Sequence, residues 1–343
     1  MNARPHSGGH VKGFIGFVLL LLALCAGFVW YLTDVPGTKA IGGPAAPTSE
    51  EEDLRDALKD HVVHLSRDIG SRSNSDPSRI ASAAAYVEDA LRRTGLEIRR
   101  ETIEASGRSG LNLIAEQRGA SRPSEIVLVG SHLDSPRNSP GADCNASGVA
   151  AAIELAKRLS SNSSERTLRF AFFTFSESPF AGTDGQGAYQ HAKKSAEKQE
   201  QIVAAILLEG LGSFSDAAGS QSVPFPYTAA YPDKGDFVAF LSDIASRDLL
   251  RDVVGRFRAS SRMPSEGCAI PGMYPGFSGT DAAAISRAGF PAVLVTDTGI
   301  ERNPEYGRPS DTHDRLDYER MARATLGVET VVAGFASARF GAP

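Results

Sequence analysis

Short apolar segments alternate with predicted helices through the middle of this chain, and this alternation restricts the fold more than any other feature. The apolar segments are residues 126–129, 168–175, 205–208 and 292–296, and a helix is predicted from about Ser147 to Leu159. Strands that are apolar along most of their length are buried on both faces, and helical crossovers join parallel strands. The pattern therefore predicts an α/β domain with a central, mainly parallel sheet that is flanked by helices on both faces.

Two amphipathic helices are predicted before the first strand. Ser49 and Glu52 have the spacing of a capping box at the start of the first helix. The apolar positions that follow at helical intervals are Leu54, Leu58, Val62 and Leu65. The second helix begins at Asp76-Pro77 and is expected to stop at Gly95, which suits a left-handed C-terminal cap. We therefore predict one folded domain over residues 49–343.

The chain begins with a short tail and a long apolar run. Residues 14–32 are nineteen consecutive residues without a charge, enough to cross the hydrocarbon core of a bilayer as a helix, with Trp30 at an interfacial position. Lys12 precedes the run and Asp34 follows it, so the positive-inside rule places the tail, residues 1–13, in the cytoplasm and the domain on the periplasmic or extracytoplasmic side. We predict a single-pass membrane anchor. A cleaved signal peptide is the alternative, although its apolar core is usually shorter.

Residues 33–48 join the apolar run to the domain. They are rich in Pro, Gly and Ala and have no periodicity. This composition is typical of a flexible linker, and we predict one here.

Charge and cysteine content exclude two classes of protein. The formal net charge is −5 and the basic residues are dispersed, so we predict no nucleic-acid partner. Three cysteines are too few for a disulfide scaffold. One bridge between Cys144 and Cys268 remains open.

Four acidic or imidazole side chains follow the predicted strands. They are His132, Asp143, Glu177 and Glu209. Because open α/β sheets bind ligands beyond the carboxyl ends of their strands, we expect these side chains at one edge of the sheet. Asp134 is spaced so that its carboxylate can accept the ring N–H that a metal-bound His132 leaves free.

Aromatic residues follow Glu209 in the sequence. They are Phe214, Phe225, Tyr227 and Tyr231. These side chains are candidates to line a substrate mouth, and packing of a lid segment is the alternative.

Several ordered motifs between residues 50 and 340 together resemble the zinc-dependent exopeptidases of peptidase family 28, the co-catalytic aminopeptidases. The motifs are His-Leu-Asp-Ser at 132–135, Gly-Ala-Asp-Cys-Asn-Ala-Ser-Gly at 141–148, Glu-Ser-Pro-Phe at 177–180, Gly-Thr-Asp-Gly-Gln-Gly at 182–187, Leu-Glu at 208–209, Gly-Phe-Pro-Ala at 289–292 and Leu-Asp-Tyr-Glu at 316–319. The resemblance implies a twisted mixed sheet flanked by helices, and an ancestral reaction in which zinc-dependent hydrolysis removes N-terminal residues from peptides.

The resemblance also implies roles for single residues. In the family two zinc ions share a bridging aspartate, which matches Asp143. One ion is completed by a histidine and an acidic residue, which match His132 and Glu209. The second ion is completed by a glutamate, which matches Glu177, and by a late histidine, whose position is Gly307 here.

Three positions depart from the family pattern. Gly307 has no side chain to coordinate a cation, Ser176 stands at the position of the family's catalytic general base, and Ala282 replaces a histidine. A hydroxyl is far too weak a base at neutral pH, and a positioned general base contributes about 10²–10⁴ in rate. We therefore predict a catalytically impaired protein that uses the inherited cleft to bind a peptide or peptide-like ligand.

An active hydrolase is the alternative. His132, Asp143 and Glu209 form a complete ligand set for one zinc with an open fourth position, so we favour one ion over two, with a metal-free site as the third case. Asp184 or Glu177 would then replace the base in a single-zinc peptidase or amidohydrolase.

Overall fold

The computed structural model describes residues 8–40 and 46–337, with only the backbone for residues 8–11. The helices are α1 (Gly8–Thr33), α2 (Ser49–Val63), α3 (Pro77–Leu91), α4 (Ser147–Leu159), α5 (Gly187–Glu197), α6 (Arg247–Ser260), α7 (Pro275–Ser278), α8 (Asp281–Arg287) and α9 (Tyr318–Ala336). The strands are β1 (Glu97–Ala105), β2 (Arg108–Gln117), β3 (Arg122–His132), β4 (Arg166–Phe173), β5 (Gln201–Leu208), β6 (Val238–Asp243), β7 (Ser265–Ile270) and β8 (Ala292–Thr296).

All eight strands form one mixed sheet in the order β1-β2-β4-β3-β5-β8-β6-β7. The four central strands β4, β3, β5 and β8 are parallel, and antiparallel pairs join β2 to β4 and β8 to β6. Every residue of β4 and β8 is buried. The predicted α/β fold with a mainly parallel central sheet is therefore confirmed.

The strands at the two edges were not predicted from the sequence. β1 and β2 form an antiparallel hairpin whose buried positions alternate with exposed ones in the second half of β1. β6 and β7 are six residues each and pair in parallel at the other edge. Charged residues interrupt the apolar pattern of β1, whose outward positions are exposed, and that of β7, where Glu266 is buried and paired with Lys39.

Two predicted helix boundaries differ from the structure. The capping box at the start of α2 is one residue earlier than expected: Thr48 Oγ1 accepts a hydrogen bond from the Glu51 amide at 3.2 Å, and Glu51 Oε2 accepts one from the Thr48 amide at 2.9 Å. α3 ends at Leu91, because the Thr94 hydroxyl and amide both donate to the Leu91 carbonyl. Gly95, with φ +78°, lies in the following turn instead of capping the helix.

α1 contains the predicted membrane run. Residues Lys12–Thr33 are long and apolar enough to cross a membrane, a property shared by signal sequences. Most side chains of this stretch are exposed, whereas Leu32 is buried against the domain. α1 therefore projects from the domain and contacts it only near its C-terminal end.

The segment after α1, part of the predicted flexible linker, contacts the domain. Asp34 forms an ion pair with Arg251 of α6, the Pro36 carbonyl accepts a hydrogen bond from Arg258 at 3.1 Å, and Lys39 pairs with Glu266 of β7 at 2.6 Å. Guanidinium groups satisfy the carbonyls of this extended segment, so residues 34–40 lie along α6 and β7. Residues 41–45 of the predicted linker and 1–7 of the predicted tail are outside the described residues.

Candidate active site

The central strands of the sheet carry predicted site residues at their carboxyl ends. His132 ends β3, Glu177 follows β4 and Glu209 follows β5, and β3 lies between the other two strands. Asp143 lies in the loop before α4 and is fully buried. The parallel strands therefore place His132, Glu177 and Glu209 at their carboxyl ends, as expected for an α/β sheet. The Asp143 carboxylate instead faces Asn303 and the Gly212 amide, and the neighbouring Cys144 is the residue of this loop that contacts Glu177.

The hydrogen bond of His132 differs from the one predicted. His132 Nδ1 lies 2.9 Å from the main-chain oxygen of Asp134, and 3.6 Å from its carboxylate oxygen Oδ1. The Asp134 carboxylate instead accepts hydrogen bonds from the Ser176 amide at 3.3 Å, the Glu177 amide at 2.9 Å and Asn74 Nδ2 at 3.1 Å. Asp134 thus fixes the backbone after β4 as well as the imidazole.

Burial and neighbouring charges alter the ionisation of this centre. Burial disfavours a charge on His132, but the contact with Asp134 and the negative charge of Glu209 raise its pKa to about 10. Burial raises the pKa of Glu177 to about 7, and it also raises the pKa of Glu209. The imidazolium form of His132 is therefore balanced by acidic groups of the protein itself.

Protein donors occupy both carboxylate oxygens of Asp143. Asn303 Nδ2 donates to Asp143 Oδ2 at 2.7 Å, and the Gly212 amide donates to Oδ1 at 3.0 Å. The loop is fixed by Asp311, whose carboxylate accepts hydrogen bonds from the amides of Asp143 and Cys144 at 2.8 and 3.1 Å. Asn303 and Asp311 were not recognised in the sequence, although Asn303 lies only four positions before Gly307.

A buried arginine holds this loop against the end of β3. The Arg72 guanidinium donates to five carbonyl oxygens at 2.7–3.0 Å. These belong to Leu65, Gly70, Leu133, Pro140 and Gly141. Burial lowers the pKa of Arg72 to about 10, which still leaves the group charged at neutral pH. Arg72 was also missed, because nothing in its local sequence indicates a buried position.

Ser176, at the position of the family's general base, has an acidic partner. Its hydroxyl donates to Asp281 Oδ1 at 2.6 Å, and Gln186 Nε2 donates to the same oxygen at 2.9 Å. Asp281 is buried, burial raises its pKa, and its other oxygen has no hydrogen-bond partner among the described residues. The sequence had drawn attention to this segment only for Ala282, the residue after Asp281.

The two glutamates also contact protein donors. Cys144 Sγ lies 3.2 Å from Glu177 Oε1, and the Tyr306 hydroxyl lies 3.4 Å from Glu209 Oε1. Burial raises the pKa of Cys144 well above its usual value, so its thiol is a donor at neutral pH. Cys144 and Cys268 are both free thiols, and the bridge that the sequence left open is not formed.

Gly307 and Asp184 are the remaining predicted positions. Gly307 has φ +68°, and a Cβ placed on it would lie 3.1 Å from Pro136 Cγ. Asp184 lies on the surface, with its carboxylate 3.8 Å from Arg287 Nη1. Asp184 is therefore wrong as a displaced base, because its side chain points into solvent, whereas Glu177 lies in the centre.

The residues present do not fit the two-zinc centre that the resemblance implies. No three His, Cys, Asp or Glu side chains within the described ranges 12–40 and 46–337 are grouped as a metal site would require. Donors from Asn303, Cys144 and Tyr306 point at the carboxylates that a cation would need. The assignment of His132, Asp143, Glu177 and Glu209 as metal ligands remains a prediction.

A cavity of about 520 Å³ lies beside this centre. Glu209 and Tyr306 of this centre line it, and the carboxylate residues Glu266 and Glu301 line it as well. Its wall is mainly aliphatic and aromatic and includes Tyr227, Tyr231, Phe237, Leu241, Cys268 and Leu294. Tyr227 and Tyr231 therefore line a mouth as predicted, whereas Phe214 packs near Arg302 and Phe225 is exposed.

Solved structures share this architecture. The zinc aminopeptidase BSAP from Bacillus subtilis superposes with a TM-score of 0.65 at 14% identity, covering 84% of this chain and 96% of that one. A glutaminyl cyclase from Fimbriiglobus ruber superposes with a TM-score of 0.60 at 18% identity, covering 85% and 99%. At these identities the likeness shows the fold alone.

Sequence comparison adds the family. The uncharacterized protein YfbL of Escherichia coli K12 is 28% identical over 330 residues, which are 94% of this chain and 98% of that protein. Leupeptin-inactivating enzyme 1 of Streptomyces exfoliatus is 33% identical over 160 residues, 45% of this chain and 35% of that enzyme. The family profile described as Peptidase family M28 matches residues 112–332. Together with the strand-end motifs and the shared fold, this match shows that the chain belongs to peptidase family M28.

Proposed function

We propose that this protein is a membrane-anchored M28 homologue that binds a peptide or peptide-like ligand in its cavity and has lost most or all peptide hydrolysis. The observation that carries the proposal is the hydrogen bonding of the predicted zinc ligands. Asn303 donates to Asp143, Cys144 to Glu177 and Tyr306 to Glu209. These contacts satisfy the carboxylates without a cation.

Two substituted positions support the same conclusion. Ser176 donates its proton to Asp281 at 2.6 Å, so its hydroxyl is engaged as a donor and is not a base for water. Gly307 cannot coordinate a metal, and its left-handed backbone opposes any other side chain there. The loss of a general base alone costs about 10²–10⁴ in rate.

The cavity supports binding of a peptide-like ligand. Glu209 supplies a carboxylate to the lining, and the aromatic and aliphatic part of the wall suits an apolar side chain. A peptide would match both the carboxylate and the apolar wall if its N-terminal amine lay near Glu209 and its apolar first side chain lay along the wall. A relative from Pseudomonas aeruginosa that is 34% identical over 102 residues, 30% of this chain and 18% of that protein, is named as an aminopeptidase, which agrees with a peptide ligand.

α1 supports the proposed anchoring. It is a freely projecting apolar helix that ends where the domain begins. Lys12 before the run and Asp34 after it favour a cytoplasmic N-terminus and a domain outside the cytoplasm. Retention of α1 in the membrane fraction after alkaline extraction tests the anchor, and loss of α1 from the mature chain by mass spectrometry would instead show a signal peptide.

The full chain, purified in detergent, tests the function. We expect it to bind peptides with an apolar N-terminal residue and to release no N-terminal residue after incubation with zinc or cobalt. Typical enzymes reach a kcat of about 1–10³ s⁻¹, so turnover in that range would reject the proposal. Asp143→Ala is the control: any residual release that persists in this variant comes from a contaminant.

One observation favours an active hydrolase as the second candidate. The Asp281 carboxylate lies beside Ser176 and keeps one buried oxygen without a partner among the described residues. An acid in contact with the residue at the position of the family's base is what a displaced catalytic group requires. This candidate predicts one tightly bound zinc per chain and turnover that Asp281→Asn abolishes. Elemental analysis that finds no zinc in the untreated protein would exclude it.

A further inference from the structure

Exposed apolar side chains of the domain lie around the cavity. Outside α1, the large apolar side chains exposed in the described residues are Phe225 (89%), Ile244 (39%), Met273 (86%) and Ile300 (73%). Single exposed apolar residues are ordinary on a protein surface. Here three of the four are placed together: Ile300 lines the cavity, and Phe225 and Met273 each lie within two residues of a lining tyrosine. One of these exposed apolar residues thus lines the cavity, and two more are near its lining in the chain.

The C-terminal end of α1 is attached firmly to the domain. The Arg247 guanidinium lies 4.0 Å from the centre of the Tyr31 ring, and Arg247 Nε donates to the Tyr31 carbonyl at 2.8 Å. Leu32 is buried against the domain. Since Trp30 and Tyr31 are the residues expected at the interface of a bilayer, the domain begins within one turn of that interface.

The segment after α1 fixes which side of the domain faces α1. Asp34 contacts Arg251 in the N-terminal half of α6, and Pro36 contacts Arg258 near its C-terminal end. Residues 34–37 therefore run along α6 from its N-terminal towards its C-terminal end. The N-terminal end of α6 therefore lies next to α1.

The same end of the domain carries two of the exposed apolar residues. The Ile244 carbonyl accepts a hydrogen bond from the Arg247 amide at 3.3 Å, which places Ile244 one turn from the contact with Tyr31. Asp243 pairs with Ile270 at the ends of β6 and β7, and a Cβ on Gly272 would lie 3.9 Å from the Asp243 Cβ. Met273 follows, and the next residue lines the cavity.

We propose that Ile244 and Met273 contact the interfacial layer of the bilayer that holds α1, so that one rim of the cavity touches lipid. The inference rests on the proposed anchoring. A bilayer fits this surface better than a protein partner, because it is continuous with the end of α1. Two separate apolar side chains also form a smaller surface than the roughly 1,000 Å² that a specific protein interface needs.

The chain provides its own probe for this contact. Trp30 is its one tryptophan. We would reconstitute the full chain into phosphatidylcholine vesicles with brominated acyl chains, which quench nearby tryptophan emission. The wild-type protein reports the position of α1. In a Trp30→Phe background, Met273→Trp reports the rim, and Ser109→Trp is the matched control, since Ser109 is exposed on β2 at the opposite edge of the sheet from β7.

We expect Trp30 and the tryptophan at position 273 to be quenched to a similar extent and the tryptophan at position 109 to keep its emission. Quenching of Trp30 with equal, weak quenching at positions 273 and 109 would overturn the rim contact and leave the anchor intact. Absence of quenching at Trp30 would overturn the anchor and this inference together. If circular dichroism shows that Met273→Trp is misfolded, Ile244→Trp in the same background measures the same surface, with the same two outcomes.

Discussion

The buried polar centre and the cavity beside it share Glu209 and Tyr306 but differ in charge, in burial and in the polarity of their side chains. The polar centre consists of buried charged groups whose partners are other groups of the protein, such as Asn303 on Asp143. The cavity is an open space of about 520 Å³ with apolar walls. The difference teaches that the volume of the cavity depends on the sheet and its loops, whereas the ionisation of the centre depends on a few buried side chains.

The two regions should also differ in how they affect stability. Breaking a contact of a buried charge leaves an uncompensated group in a low dielectric and is costly. Truncating a partly exposed wall residue removes contacts that mainly a ligand would use. Substitutions in the polar centre should therefore lower the free energy of unfolding, and substitutions in the cavity wall should lower ligand affinity.

Removing Arg72 should have the largest effect. Arg72→Met leaves five buried carbonyl oxygens without their donor, so we expect a loss of about 3–5 kcal/mol in the free energy of unfolding. Urea unfolding followed by circular dichroism measures it. Arg93→Met, on an exposed position of the turn after α3, should change stability by less than about 0.5 kcal/mol. If both variants lost the same free energy of unfolding, the buried polar centre would be no more sensitive to substitution than the surface.

Glu177 should make stability depend on pH. Its folded pKa of about 7 lies above that of an unfolded glutamate, so its stabilising effect is complete below the unfolded pKa, at acidic pH, and is lost as pH rises through 7. Glu177→Gln mimics the protonated form at every pH. The free energy of unfolding of this variant, relative to that of the wild type, should therefore rise by on the order of 3 kcal/mol between acidic pH and pH 8. Unfolding in the presence of a chelator measures this gain. The exposed control Glu97→Gln should show no such pH-dependent gain.

Gly307 should tolerate histidine poorly. Left-handed backbone costs a residue with a Cβ about 1–2 kcal/mol, and Pro136 lies close to the added carbon. Gly307→His should therefore be destabilised by about that amount, whereas Gly307→Asn should lose less, because asparagine visits this conformation more readily. Thermal unfolding of both variants tests the order. A Gly307→His variant as stable as wild type would show that the loop relaxes at little cost.

The cavity wall should show the smallest effect on stability and a clear effect on binding. Tyr227→Ala removes a lining aromatic side chain, so the affinity for peptides with an apolar N-terminal residue should fall by about 1–2 kcal/mol, roughly tenfold. Glu97→Gln, exposed on β1 and remote from the cavity lining, is the control and should bind as wild type does. Titration calorimetry with the full chain in detergent distinguishes them. The same loss in both variants would place the ligand outside the cavity.

The sequence was most informative where burial is uniform. The central strands are apolar along their length, so β3, β4, β5 and β8 were recognised, and three of the predicted site residues, His132, Glu177 and Glu209, lie at the ends of these strands. β1 and β7 were missed because edge strands mix charged and apolar residues. The partners of the site were missed for a different reason: Asn303 lies 160 residues from Asp143, and Asp281 lies 105 residues from Ser176.

The sequence by itself determined the α/β class, the family, the apolar run of α1 and the absence of side-chain chemistry at Gly307. These properties depend on residue type and on spacing between near neighbours. Only the tertiary structure decided which groups donate to the buried carboxylates, that residues 34–40 lie along α6, and that a cavity adjoins Glu209. Such contacts join segments far apart in the chain, and a local pattern contains no information about which distant group will fill a given position.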